Sequence, residues 1–167
     1  MLETEINITH EMARVYYKLL TKIDWQDDIL IAGLSEGLNK FLSNSYLNLN
    51  CFHGKHKYHK THFVSLSALN KLEHKDYSGL VFEHIVPKQK YIQKPCEEYA
   101  AKGSLTIDYI HDLLNSYWLI ATISKDEDAS LLREMPYNWD GKDVFARYKY
   151  AKIELKDNPF FHSSLKN

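Results

Sequence analysis

Leu80-Val81-Phe82-Glu83-His84-Ile85-Val86-Pro87-Lys88 decides how this chain is read. The apolar, β-branched and aromatic residues from Leu80 to Val86 suit a short buried strand. Ser78-Gly79 turns the chain into it, and Pro87, which has no N–H to give to a ladder, ends it. A second run, Leu119–Ser124, has the same character. Nearly everything else is periodic at helical spacing. The expectation is therefore an α+β fold, a mainly helical single domain with a small β-sheet. An acid and an imidazole, Glu83 and His84, then stand where a buried strand meets a turn.

Upstream, Ile8, Met12, Val15, Tyr16, Leu19, Leu20 and Ile23 recur every three or four residues, the pattern of one helix face. Thr9 or Asn7 is the expected cap. Asp24 to Asp28 breaks this helix and starts another through Ile29, Leu34, Leu38 and Leu42, ending at Ser43-Asn44-Ser45. Gly33 and Gly37 within it predict a closely packed neighbour. Residues 46 to 62 read as irregular, and Ser65 as the cap of a short helix through Leu66, Leu69 and Leu72.

Downstream, a short helix is expected from Pro95 to Lys102, stopped by Gly103. The next should bury Ile107, Ile110, Leu114, Tyr117 and Trp118. Ser124 and Glu127 form a capping box for a helix from Lys125 to about Glu134. Asn138-Trp139-Asp140-Gly141 is a turn. Val144–Leu155 fits helix or strand. The parts of the domain are then a helical region 1–45, a site-bearing core 46–124, a C-terminal helix and extension 125–158, and a loosely attached tail 159–167.

The chain's 167 residues suit one domain, and its net charge of −1 carries no global polyanion-binding signature. Contact with nucleic acid would rest on local basic patches. No apolar run reaches membrane-spanning length. The acidic start Met1–Glu5 lacks a secretory core, and two isolated cysteines, Cys51 and Cys96, point to a cytoplasmic location.

The Glu83–Lys88 segment resembles the opening of the HNH, or ββα-metal, nucleases, in which an acid or histidine precedes a strand-end histidine, an aliphatic pair and proline. The resemblance implies a ββα-metal-like core and a metal-dependent endonuclease hydrolysing phosphodiester bonds of DNA, ahead of RNA, with a homodimer as one option. His84 would be the general base that activates water, and Glu83 a ligand of a divalent cation, Mg or Mn ahead of Zn. The family completes its site from a following helix; here His111 and Asn115, one turn apart, are first in line, with Asp112 in reserve. Where the family places a returning strand, this sequence has Gln89–Gln93 and the 95–102 helix, and no asparagine occurs between Pro87 and Asn115.

Cys51-Phe52-His53-Gly54-Lys55-His56-Lys57-Tyr58-His59-Lys60-Thr61-His62 is the other unusual stretch. Lys55, Lys57 and Lys60 would track phosphates while Phe52 or Tyr58 stacks on a base. Zinc on Cys51, His53, His56 and His59, or simply a solvated basic loop, are the alternatives. Lys88, Lys90 and Lys94 form a second basic patch. Arg147 reads as a structural partner of Asp143, with phosphate binding as the other option. The competing class is a non-enzymatic binding protein, an inhibitor or accessory factor, whose twelve tyrosines and basic patches recognise a protein or nucleic-acid partner.

Overall fold

Strand pairing starts at Leu80, where the apolar run predicts it, and stops at His84. Ile85 still donates its N–H to the Leu119 carbonyl (2.8 Å) before the chain turns at Pro87, and Ile85 and Val86 are wholly buried. The computed structural model describes residues 7–50 and 56–162. In chain order these form α1 (Ile8–Leu20), α2 (Asp28–Leu49), β1 (Phe63–Ser65), α3 (Leu66–Glu73), β2 (Leu80–His84) and α4 (Lys94–Ala101). Then come α5 (Ile107–Tyr117), β3 (Ile120–Ser124), α6 (Lys125–Ser130), α7 (Ala146–Tyr150), β4 (Leu155–Asp157) and α8 (Pro159–His162). A 3₁₀ turn at Lys57–Lys60 and a π-helical turn at Gln89–Gln93 complete the regular structure. The class is α+β, mainly helical.

Two compact units are interleaved along the chain. The described residues up to Asn50 join Gln89–Ser116, and those from His56 to Lys88 join the segment from Tyr117 onward. The first unit is helical. Asn7, one of the two expected caps, accepts the His10 N–H at the start of α1, and Asp27 accepts that of Leu30 at the start of α2. Met12, Ala13, Tyr16 and Leu20 bury one face of α1, and Tyr16 stacks on Phe41 of α2 at 5.7 Å. Gln93 donates to the Leu38 carbonyl (2.7 Å), fixing the π-helical turn to α2. Helix α2 runs seven residues past Leu42, because Tyr46 continues its buried stripe. Gly33 and Gly37 do not mark a close approach: a Cβ at either would meet nothing within 4 Å.

The second unit holds the sheet, ordered β2-β3-β1-β4. β1 and β3 are parallel; the β2–β3 and β1–β4 pairs are antiparallel. Glu83 faces Ala121 and His84 faces Ile120 across the β2–β3 ladder. The partner of β2 is thus a strand 36 residues further on, not the returning strand of a hairpin; the helical residues 89–117 lie between them in the chain. Ile85, Ala121, Ile123, Leu131 and Tyr148 form one core cluster, and Tyr58, Val64, Ala68, Leu72 and Leu80 another.

Ser65 caps α3 as expected, and the Ser124–Glu127 capping box is complete. Helix α6 nevertheless ends at Ser130, four residues before the expected limit. Leu131 turns to an extended conformation and is buried, which also exposes the Leu132 carbonyl to Arg147. The ambiguous Val144–Leu155 stretch is both things in succession, a single helical turn and then an edge strand. The expectation of a loosely attached tail from 159 fails for residues 159–161, where the Phe160 ring stacks on His59 and the Phe161 ring lies 5.0 Å from that of His62. Asn158 is fully buried; its amide donates to the Tyr58 carbonyl and Thr61 Oγ1 (both 2.9 Å), and its oxygen accepts the Phe160 N–H. Asn158→Ala strands those buried groups and is expected to cost about 1–3 kcal/mol in urea unfolding. Asn48→Ala, on an exposed helix face, is the control, with a loss of about 0.5 kcal/mol or less.

Candidate functional site at the end of strand β2

Glu83 and His84 close β2, and the alternation of the strand sends their side chains to opposite faces. The Glu83 carboxylate meets the Arg147 guanidinium at 2.6 Å. Arg147, on α7, is 3% exposed. It also donates to the carbonyls of His84 (2.5 Å), Ile85 (3.3 Å) and Leu132 (2.7 Å). One side chain thus ties together the end of β2, the turn after α6 and α7. The expected Asp143 partner instead pairs with Lys149 at 2.8 Å.

The His84 ring packs edge-on against Trp118, with centroids 4.8 Å apart, and its Nδ1 is shut off from solvent. Burial, reinforced by the positive charges of Lys88 and Arg147 and by His62, holds the imidazole down at about 3. Burial likewise raises the Glu83 carboxyl above its ordinary value against the pull of Arg147. Lys88, half-buried, is pushed down to about 8 while Glu83 opposes the shift. His62 accepts the Ile120 N–H on Nδ1 (3.2 Å) at the start of β3. The polar groups at this end of the sheet are thus Glu83 with Arg147 on one face and His84 beside Trp118 on the other, with Lys88 and His62 acting on His84 by charge.

This centre does not fit the divalent cation that the resemblance implies. The one carboxylate is held by a guanidinium, and a lysine stands beside it. Among the described residues, no three His, Cys, Asp or Glu side chains are grouped to hold a metal ion. As a base, an imidazole at about 3 is neutral at pH 7 but weak, since proton transfer is most effective with a pKa near the working pH.

The other expected ligands, His111 and Asn115, lie on α5 in the helical unit and do approach each other: the Asn115 amide is 3.1 Å from His111 Nε2. Lys90 and Lys94 belong to that unit too, both exposed, Lys90 lying over the Tyr91 ring. In the other unit Lys57 is exposed and Lys60 half-buried, whereas Lys55, Phe52, Cys51 and His53 lie outside the described residues. Tyr58 offers no platform for a base: it is 7% exposed and its hydroxyl donates to the Leu80 carbonyl (2.7 Å). His56 stacks on Tyr77 (3.9 Å) and His59 on Phe160 (4.6 Å), so both are packed into an aromatic cluster.

Sequence reasoning gave Arg147 the wrong partner and His62 no role of its own. The usable signal for Arg147 was its setting, Val144-Phe145-Ala146 before it and Tyr148 after it, a cation in an otherwise apolar run. No family model, curated protein or solved structure matches this chain.

Proposed function

We propose that this protein is a non-enzymatic binding module whose partner is another protein. Two tyrosines in the sheet-containing unit carry the reading: Tyr137 is 95% and Tyr150 67% exposed. Large aromatic rings held in water are the side chains that anchor protein interfaces, because they bury much area at small entropic cost. The net charge of −1 favours a protein surface over a phosphate backbone. The polar centre supports it as well, since Arg147 uses Glu83 and the β2 carbonyls to hold the fold. The test compares the intact chain with a Tyr137→Ser/Tyr150→Ser variant as bait in an extract of its own cells. A defined protein retained by the parent, lost by the variant and not released by nuclease digestion is the expected result. Equal retention by both sinks the reading.

The second reading, which requires Glu83 to exchange Arg147 for a cation, is a metal-dependent endonuclease that cleaves DNA with His84 as general base. It is favoured by one observation: displaced titrations at Glu83, His84 and Lys88 gather in one place, as they do at functional sites. It predicts nicking of plasmid DNA in magnesium or manganese, lost with chelator and in His84→Ala. Cleavage that survives in that variant removes His84 from the chemistry, and no cleavage at all leaves the binding module.

A further inference from the structure

In the helical unit, His10 at the first turn of α1 and His111 on α5 face each other, ring centroids 5.4 Å apart and nearly perpendicular. Beside them the Thr9 hydroxyl is 2.8 Å from both Asn7 Oδ1 and Asn115 Oδ1. A hydroxyl has one proton to give. Asn7 Oδ1 is an acceptor, since it also takes the His10 N–H (3.1 Å). The Asn115 amide must then be turned over, donating from nitrogen to Thr9 and presenting its oxygen to His111 Nε2. That puts an amide oxygen and an imidazole nitrogen 3.1 Å apart.

We infer that His10, His111 and Asn115 form a surface site for a divalent first-row transition ion of the zinc, cobalt or nickel kind. Two donors on one ion, each about 2.1 Å from it, stand about 3.0–3.4 Å apart, which the Asn115–His111 pair already matches. Two imidazoles bound tetrahedrally have ring centroids about 5 Å apart, and His10 and His111 are held near that spacing by the Thr9–Asn115 link between their helices. Binding requires the exposed His10 ring to rotate until one of its nitrogens meets the ion. Imidazole ligands select zinc-like ions over magnesium or calcium. Glu11, whose carboxylate is 3.9 Å from His10 Nδ1, is neutralised by Arg14 at 2.9 Å, so the binding rests on the imidazoles. The ion replaces the proton that His111 shares with the amide oxygen. Water fills the remaining position.

The site is independent of both readings of the β2 centre, and its test needs no activity. The full chain is titrated with cobalt(II), following the visible absorption of a tetrahedral complex, and with zinc in competition. His10→Ala and His111→Ala should each weaken binding by at least about tenfold, and Asn115→Ala by less. His59→Ala, in the other unit, should leave it unchanged. Thermal melting of each variant without metal establishes that it is folded, and zinc should raise the midpoint of the parent and His59→Ala chains more than those of His10→Ala and His111→Ala. Equal cobalt affinity in the folded His10→Ala and parent chains overturns the site. So does loss of binding only in His59→Ala.

Discussion

Arg147→Ala should lower the free energy of unfolding by about 3–5 kcal/mol, enough to unfold the protein or leave it marginal. The guanidinium is buried, and its removal strands four acceptors at once: the Glu83 carboxylate and the carbonyls of His84, Ile85 and Leu132. Each buried acceptor left without a donor costs about 1–3 kcal/mol, and a carboxylate costs more. Arg147→Lys should rescue little, because one ammonium cannot reach four acceptors on two segments. Glu83→Gln keeps an acceptor for the guanidinium, and should cost about 1–2 kcal/mol. Urea unfolding of the two single variants and the double variant gives the coupling directly. A loss under about 1 kcal/mol for Arg147→Ala would show that the pair contributes nothing net to the fold.

Most helices were legible because their information is local. Asn7 before α1, Ser65 before α3 and the Ser124–Glu127 box before α6 each satisfy backbone groups within three residues, so their signals need no tertiary context. The strands at Leu80 and Ile120 were visible for a related reason: they are continuous apolar runs. β1 and β4 were not, being three residues each and made strands only by their partners, Ala121 and Thr122 for the one and Phe63–Ser65 for the other. Gly33 and Gly37 misled, since the four-residue spacing of small residues fits a packed helix crossing and an exposed helix face equally well.

The candidate site was half legible. Glu83-His84 was placed correctly at the end of a strand before a turn, but the partner of Glu83 is 64 residues away on α7, in a stretch whose periodicity favoured neither helix nor strand. Pairing across that distance is a tertiary fact. The His111–Asn115 contact, four residues apart on one helix, was accessible from spacing alone, whereas His10 became visible only once α1 and α5 were placed.

Acidification should cost this protein about 2 kcal/mol between pH 7 and pH 5 through His84 alone. In the unfolded chain an ordinary imidazole takes up its proton near 6.5, whereas the folded protein holds His84 at about 3. Between those values the unfolded state binds more protons, so stability is complete above about 6.5 and falls as pH drops toward 3. Each pH unit well inside that window contributes about 1.4 kcal/mol. His56 and His59, also lowered by burial, act with the same sign. Glu83, raised by burial, acts with the opposite one in the region just above its ordinary carboxyl value. His84→Gln isolates the effect, removing the titration and keeping a polar group of similar reach beside Trp118. Urea unfolding at half-unit steps from pH 7 to pH 5 should show the parent losing about 2 kcal/mol more than this variant. Parallel curves for the two would mean that His84 titrates in the folded protein much as it does in the unfolded chain. An imidazole free to charge in that way would restore to the β2 centre the general base that its burial now denies.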